Sequence, residues 1–312
     1  MLAGTPFVRH DLAADLPLVG YGEGRSMRMR LQAVMQDLLE GWQEDLDPAW
    51  LPVFQHVELG FAAMDATLEF EPWEPIFPVR RGRVFPGQPK DAHMLRAFDD
   101  LRPESVRCVI LGQDPYPCAA FATGRAFEAG NVARWRELEK MFTHSIRTLL
   151  QQIAEARTGR AEFARSIADW AATVAAIENG TLDMPDPDRL AQNWVDQGVL
   201  LLNTALTLTR FAVEVSPHQR YAHLPIWRPL IDRALSHLLT RRQGPLVILG
   251  FGDTAAAACQ AAGLVPSDRP RDGLAYIQRP HPAAGNGILA LANQFVLANR
   301  ALIEAGTHPI AW

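Results

Sequence analysis

Residues 109–116 read VILGQDPY, an apolar run with branched side chains that stops at Gln113 and Asp114. Short apolar runs bounded by turn residues are typical of strands that are buried on both faces of a parallel sheet. Pro115 restricts the backbone directly after the run, so the chain turns where the polar side chains stand. This stretch therefore predicts a buried strand that delivers a carboxylate to the edge of a sheet.

Three further runs follow the same design, each a short apolar segment that ends in polar residues. They read GVLLLN at 198–203, PLVILG at 245–250 and GLAYIQ at 273–278. Stretches with helical spacing lie between or beside these runs, at 145–156, 225–239 and 254–262. Such alternation predicts an α/β fold, a three-layer α/β/α sandwich with a central four-stranded, mainly parallel sheet. Because ligands bind outside the carboxyl ends of such strands, the polar residues after the four runs are expected to share one site.

The rest of the chain divides into an N-terminal region and an insertion. Residues 27–42 have helical spacing, and we expect 1–82 to be a helical extension packed on a catalytic domain at 83–312. An acidic, Ala-rich stretch at about 155–188 ends in the breaker-rich MPDPD and predicts a helical insertion on that domain. A solvated helix without function is the alternative for this insertion.

Composition restricts the class of protein. The chain has 312 residues, 48% hydrophobic and 21% charged, which is ordinary for a globular protein. No apolar run has the length of a membrane helix, and the charged start lacks the apolar stretch of a signal peptide. We therefore expect a cytoplasmic monomer that does not contact a membrane. The three cysteines form no CxxC pair and predict no metal site, and the net charge of −5 does not exclude a small basic face for nucleic acid.

Five sequence blocks together resemble the family-1 uracil-DNA glycosylases, from about residue 83 to the end of the chain. They are FPGQPKDAHMLRAFDDL at 85–101, VILGQDPY, GRAF at 124–127, WVDQGVLLLNTALTL at 194–208 and QFVLANRALIEAGTHPIAW at 294–312. One five-residue match would be weak evidence, whereas five blocks in the family's order and near its spacing are specific.

The resemblance implies a monofunctional DNA glycosylase, which hydrolyses the N-glycosidic bond of a flipped-out pyrimidine and leaves an abasic site. DNA, single- or double-stranded, is the implied partner. No cofactor is implied, because the reaction needs water, an oriented carboxylate and a stabilised leaving base, and no metal.

The resemblance also gives roles to residues that line the base. Asp114 would stabilise the cationic sugar or activate the attacking water. Gln113 would lie at the base edge, Tyr116 against C5, where it excludes the methyl group of thymine, and Phe127 would stack on the base. The amide of Asn203 matches N3–H and O4 of uracil, but after rotation by half a turn it also matches cytosine. Asn203 therefore indicates a pyrimidine more firmly than it indicates uracil.

The last family motif, HPSPLS, is altered to RPHPAA at 279–284. An ungapped alignment places Arg279 where the family has the His that stabilises the leaving base. A loop two residues shorter places His281 there instead; either side chain can donate to the developing anion, and we favour His281. Ala283 stands at the position of the Leu that enters the duplex as a wedge, and alanine cannot fill the space of a flipped base.

Two residues are expected to contact the DNA backbone. Ser145 corresponds to a serine that touches a phosphate in the family, although a plain helix N-cap is an equal alternative. Gly252 precedes a predicted helix N-terminus, which suits phosphate groups, while Asp253 next to it opposes an anion.

The departures from the family cluster around the base and the duplex, since Pro117 replaces a family His and Arg125 an apolar residue. This pattern predicts an altered substrate. The alternatives are uracil in single-stranded DNA, or a hydroxymethylated or glucosylated pyrimidine, which would imply defence against phage. A catalytically inactive relative that only binds DNA is the third alternative, and retention of Asp114 argues against it.

Overall fold

The computed structural model describes residues 28–140, 144–212, 215–241 and 244–312. Seven strands lie in these ranges: β1 Met29–Arg30, β2 Glu69–Phe70, β3 Cys108–Gly112, β4 Val199–Asn203, β5 Leu246–Phe251, β6 Ser267–Arg271 and β7 Leu274–Arg279. Nine α-helices lie in the same ranges: α1 Leu31–Leu38, α2 Leu51–Phe54, α3 His144–Thr158, α4 Trp170–Glu178, α5 Pro187–Val195, α6 Leu224–Thr240, α7 Gly252–Ala261, α8 Asn286–Leu289 and α9 Gln294–Glu304. A π-helical turn, Gln219–His223, leads directly into α6. None of the helices in the described ranges combines the length and the apolar character needed to cross a membrane.

Five strands form the central sheet in the order β4-β3-β5-β7-β6. The first four are parallel, which confirms the predicted four-stranded parallel sheet. Every residue of β3, β4 and β5 is buried, as expected for strands that are covered on both faces. The antiparallel edge strand β6 is an addition to the prediction, because its sequence SDRPR contains no apolar residue that would mark a strand.

The connections between the strands place helices on both faces of the sheet. The chain runs from β3 through α3, α4 and α5 to β4, but from β4 through α6 to β5 on the other side of β3. Right-handed crossovers in opposite directions put their helices on opposite faces, and α6 accordingly packs against α7 while α3 packs against α9. The α/β/α sandwich is thus confirmed. Because the connections of β3 and its neighbours leave to opposite faces, a crevice opens beyond the carboxyl end of β3.

The described part of the N-terminal region shares the core of the sheet domain. Nε1 of the fully buried Trp50 donates to the carbonyl oxygen of Leu101 over 2.7 Å, and the amide of Gly60 donates to Ile226 over 2.9 Å. The helix predicted at 27–42 is shorter, ending at Leu38, and its first predicted residue lies outside the described residues. The boundary at 82/83 stays a prediction, and residues 1–27 lie outside the described ranges.

The stretch predicted as a helical insertion, 155–188, begins inside α3 and contains α4. The part before α4 is tied to α3, since Nε2 of Gln151 donates to the carbonyl oxygens of Phe163 and Ser166 over 2.9 and 2.8 Å. Trp170 and Val174 of α4 are buried. One face of α4 therefore packs against the domain, which a fully solvated helix would not do.

Candidate active site

A cleft of about 420 Å³ opens at the carboxyl ends of β3 and β4. Its walls contain these predicted site residues: Gln113, Asp114, Tyr116, Phe127, Ser145, Asn203, His281 and Ala283. Gly252 and Arg279 are not in its lining. The volume lies in the range of sites that enclose a small ligand.

Asp114 reaches the cleft from the turn that follows β3. Its Oδ2 accepts two hydrogen bonds of 2.8 Å, from Nε2 of Gln113 and from Nε2 of Gln219. Its Oδ1 is buried and has no hydrogen-bond partner among the described residues. Burial raises the pKa of the Asp114 carboxyl above its ordinary value, while the two amide donors act in the opposite direction. One oxygen is thus held in place and the other is free to act on a ligand.

Gln219 is a site residue that the sequence pattern does not reveal as such. It is fully buried and lies 105 positions from Asp114 in the chain. The sequence SPHQ at 216–219 does carry a signal, because Ser followed three residues later by Gln is the pattern of a capping box. That pattern predicts the start of a helix, and only the fold brings its glutamine to the carboxylate.

Asn203 is the last residue of β4 and is only 3% exposed. It is paired with Gly112 at the end of β3, and its Oδ1 lies 2.5 Å from the point that a Cβ on Gly112 would occupy. Atom Cε2 of Phe127 lies 3.3 Å from the same point. The missing side chain of Gly112 therefore lets the amide and the ring approach each other.

Phe127 adopts a backbone φ of 57°, in the left-handed region that residues other than glycine rarely occupy. Its ring meets that of Phe251 edge to face, with centroids 5.3 Å apart, and its centroid is 6.2 Å from that of His281. Strained backbone at a cleft is a recurrent feature of functional sites.

His281 also lines the cleft, and its Nδ1 accepts a hydrogen bond of 3.2 Å from the backbone N–H of Ala283. In a neutral imidazole this bond leaves the proton on Nε2, which is then the donor. Burial lowers the pKa of His281, which favours the neutral ring at pH 7. Gly252 packs beside it with a φ of 83°, and a Cβ added to Gly252 would lie 3.3 Å from Cβ of His281.

The guanidinium of Arg279 is engaged outside the cleft. Its Nη1 donates to the carbonyl oxygen of Gln278 over 2.9 Å, and its Nη2 donates to that of Ala292 over 3.0 Å. Of the two alternatives for the donor to the leaving base, the structure brings only His281 into the cleft.

The mouth of the cleft carries small residues on one loop and an aromatic ring on another. Ala283 and Ala284 are exposed, on the loop that follows β7. Phe211, which the sequence pattern does not single out, also lines the cleft and is 52% exposed. Ser145 stands in the first turn of α3 and is buried.

The cleft combines an aromatic face, an amide edge, a carboxylate and an imidazole donor. In the described ranges, no group of three His, Cys, Asp or Glu side chains is placed to hold a metal ion. The set suits a planar heterocycle joined to a sugar. Cleavage of that bond develops positive charge on the sugar, next to a carboxylate, and negative charge on the heterocycle, next to a donor.

Known proteins resemble this chain over most of its length. A uracil-DNA glycosylase of Porphyromonas gingivalis is 30% identical over 233 residues, which are 74% of this chain and 85% of that protein. The chain belongs to the uracil-DNA glycosylase family. A uracil-DNA glycosylase of Parafrankia sp. is 28% identical over 271 residues, 86% of this chain and 95% of that protein. Membership in the family confirms the prediction of a DNA N-glycosylase, although no family model matches the chain.

Solved structures of uracil-DNA glycosylases have the same fold. The enzyme from Nitratifractor salsuginis has a TM-score of 0.52 at 24% identity, with 88% of this chain and 95% of that chain covered. The mimivirus uracil-DNA glycosylase has a TM-score of 0.52 at 16% identity, with 91% and 93% covered. At this identity the likeness concerns the fold alone.

Proposed function

We propose that this uracil-DNA glycosylase family member hydrolyses the N-glycosidic bond of uracil in single-stranded DNA, releasing the free base and leaving an abasic site. The observation that carries the proposal is that one cleft is lined by Asp114, Phe127, Asn203 and His281. These four side chains supply every group that hydrolysis of a pyrimidine nucleotide requires.

The base would enter the cleft as a flat ring against Phe127, a stacking contact worth about 1–3 kcal/mol. Oδ1 and Nδ2 of Asn203 would pair with N3–H and O4 of uracil. Asn203 is buried at the end of β4, so its amide would meet the base from a defined position. Tyr116 packs against the hydrophobic core beside the cleft, and a bulky substituent at C5 would require it to move. This packing supports uracil over a hypermodified base.

The chemical step breaks the bond between C1′ of the sugar and N1 of the base. The bonding electron pair leaves with the base, and Nε2–H of His281 would donate a hydrogen bond to the resulting anion. Oδ1 of Asp114 would face the cationic sugar and the water that attacks C1′. As its oxygen bonds to C1′, the water gives one proton to the Asp114 carboxylate, and the oxygen becomes the hydroxyl of the abasic site. A general base of this kind contributes about 10²–10⁴-fold to rate.

Single-stranded DNA is proposed because of the composition of the cleft mouth. A nucleotide leaves a duplex at a cost of a few kcal/mol, and the cost is lower in single-stranded DNA. Proteins that open a duplex often insert a large apolar side chain between bases, whereas the exposed residues after His281 are Ala283 and Ala284. The exposed ring of Phe211 instead offers a stacking surface, which suits unpaired bases.

Base release tests the proposal. Purified protein is incubated with oligonucleotides that contain one uracil, single-stranded or in a duplex, with ordinary DNA and with DNA that carries hydroxymethylated or glucosylated pyrimidines. Mass spectrometry of the free bases and strand cleavage at abasic sites report the product. Asp114→Asn should lower the rate of release by about 10²–10⁴-fold, whereas Asp188→Asn, a change at an exposed carboxylate outside the cleft, should leave it unchanged.

Each result has a distinct meaning. Faster release of uracil from the single strand supports the proposal. Release from hypermodified DNA alone replaces uracil with a modified pyrimidine and points to a role in antiphage defence. DNA binding without any release overturns the catalytic function in favour of a non-catalytic relative.

A further inference from the structure

The two oxygens of the Asp114 carboxylate have unequal environments. Oδ2 is saturated by two amide donors, from Gln113 next to it and from Gln219 on the turn before α6, each at 2.8 Å. Oδ1 is buried, and none of the described residues forms a hydrogen bond with it. Gln113 is the sequence neighbour of Asp114, so among the described residues Gln219 is the one donor to the carboxylate from a distant part of the chain.

The amide of Gln219 is itself oriented by a capping box. Its Oε1 accepts from the backbone N–H of Ser216 at 2.8 Å, and Oγ of Ser216 accepts from the backbone N–H of Gln219 at 3.3 Å. Pro217 follows the cap, at the first position of a helix, where proline is favoured. Because Oε1 is committed to an N–H group, Nε2 must be the atom that faces Asp114, and it is a donor at every pH.

The turn that carries Gln219 is anchored by a buried chain of hydrogen bonds to the segment after β4. Oγ1 of Thr209 bonds to Nδ1 of His218 at 2.9 Å and to Nε2 of His223 at 3.1 Å. Oγ1 of Thr207 bonds to Nδ1 of His223 at 2.9 Å and accepts from Nε1 of Trp227 at 2.8 Å. When both histidines are neutral, every donor in this hydrogen-bond network faces an acceptor.

His218 and His223, the two histidines of this hydrogen-bond network, are kept neutral by burial. Burial, together with the neighbouring His218, lowers the pKa of His223 to about 3, and burial lowers the pKa of His218 as well. The turn therefore keeps one hydrogen-bonded arrangement through the neutral pH range. A rigid turn can hold the donor of Gln219 at a fixed place beside the cleft.

We infer that Gln219 is a positioning residue for catalysis: its amide occupies Oδ2 of Asp114 and so leaves Oδ1 as the oxygen that meets the sugar and the water. The inference rests on the proposed function. The amide is a neutral donor, so it fixes the carboxylate without adding a charge to the cleft. It also stabilises the ionised carboxylate against the effect of burial.

Two variants separate positioning from mere support of the fold. Gln219→Met keeps an unbranched side chain of similar length and removes both the donor to Asp114 and the capping acceptor. Ser216→Ala breaks the same capping box but leaves the amide donor of Gln219 in place. Both should lower Tm, and only Gln219→Met should change the chemistry of Asp114.

The readouts are the pH profile of kcat for uracil release and the titration of the Asp114 carboxyl carbon by 13C NMR. The other titratable groups in the cleft lining are Tyr116, Arg125, His144 and His281, so the NMR signal is needed to assign the profile to Asp114.

For Gln219→Met, the midpoint of the acid limb and that of the NMR titration should both rise by about 1 pH unit. At a fixed pH on that limb, kcat then falls about tenfold, while KM stays near the wild-type value. For Ser216→Ala, the pH profile of kcat and the NMR titration curve should both coincide with those of the wild type.

If Gln219→Met titrates like wild type, or if Ser216→Ala moves as far, the inference is wrong. Should Gln219→Met not fold, Gln219→Glu keeps the capping acceptor and places a second carboxylate beside Asp114. Proton uptake by that pair should then occur at higher pH than in wild type, because two adjacent carboxylates share a proton. An unchanged titration again overturns the inference. Wild-type protein that releases no base refutes the proposed function separately, and the NMR titration still decides the placement of Gln219.

Discussion

Oδ1 of Asn203 lies 2.5 Å from the point at which a Cβ on Gly112 would stand. The two residues are directly paired at the carboxyl ends of β4, an outer strand of the sheet, and its neighbour β3. Gly112 has ordinary strand backbone geometry, so any residue could adopt its φ. What the site requires at this position is the absence of a side chain. The glycine of the GQDPY stretch therefore makes room for the amide that would read the base.

Gly112→Ala should displace the amide of Asn203. A Cβ at 2.5 Å cannot be accommodated by a paired, buried strand, so Asn203 must rotate away from the base or the strands must separate. Loss of a buried hydrogen bond to the base, at about 1–3 kcal/mol, predicts a fall in kcat/KM for uracil release of about 5- to 150-fold. Overpacking should also lower the free energy of unfolding by about 1–3 kcal/mol.

The control for this change is Gly287→Ala, whose Cβ would meet only Cβ of Ala284, at an ordinary 3.7 Å. Steady-state kinetics at matched folded fraction, together with denaturant unfolding, measure both effects. Equal kcat/KM for the two variants would show that the contact with Asn203 has no part in base recognition.

His281→Ala and Arg279→Ala should have opposite consequences. His281 lines the cleft with Nε2 free to donate, so its removal should lower kcat by about 10²–10³-fold. Arg279 donates to the carbonyl oxygens of Gln278 and Ala292, so its removal should lower Tm with little effect on kcat. Single-turnover rates on a uracil oligonucleotide and thermal unfolding measure the two quantities, and a larger loss of kcat in Arg279→Ala would reverse the assignment.

The fold was predictable because four of its strands have short apolar sequences that are easily recognised. The pattern at β3, β4, β5 and β7 predicted four parallel strands, and the rule that ligands bind beyond their carboxyl ends predicted a shared site. The strand β6 escaped prediction because its sequence SDRPR has no apolar run, whereas β4 at the opposite edge is apolar, buried and was predicted. Local sequence therefore predicts buried strands better than polar ones.

Asp114 and Asn203 stand at the carboxyl ends of β3 and β4, where the sequence pattern places a site, and Phe127 was named from the family resemblance. Gln219, in contrast, reaches Asp114 across 105 positions from a turn whose sequence predicts only a helix cap. The choice between Arg279, the last residue of β7, and His281, two residues later, depended on the direction of the two side chains, which a sequence alignment does not contain. Long-range contacts and side-chain direction are properties of the packed fold.

The rate of base release should fall in acid through the titration of Asp114. Only the ionised carboxylate can support the cationic sugar, and burial raises its pKa above the ordinary 3.8. The acid limb of kcat should therefore lie above pH 3.8, with activity present above the limb and lost as the pH falls through it. Burial lowers the pKa of His281 below 6.5, so its neutral donor is already present at pH 7.

The pH profile of kcat between acid and neutral pH, with Asp114→Asn as the reference, checks this assignment. The variant should show a low rate without the limb that belongs to the carboxylate. A limb of the same midpoint in Asp114→Asn would assign the titration to another group in the cleft.

Phe211→Ala should weaken the action on single-stranded DNA in particular. The ring is 52% exposed at the cleft mouth, where it can stack on the base next to the flipped nucleotide, and such a contact is worth about 1–3 kcal/mol. On a single-stranded uracil oligonucleotide, kcat/KM should therefore fall about 5- to 150-fold, whereas Phe211→Trp should retain activity. Trp73→Ala removes another exposed ring, 71% exposed and outside the cleft lining, and should have no effect.

A second substrate separates stacking from support of the cleft, because it carries abasic spacers in place of the bases next to the uracil. Wild type and Phe211→Ala should release uracil from it equally fast, since no neighbouring base remains to stack on the ring. If Phe211→Ala is equally impaired on that substrate, the ring supports the shape of the cleft and the stacking role is refuted.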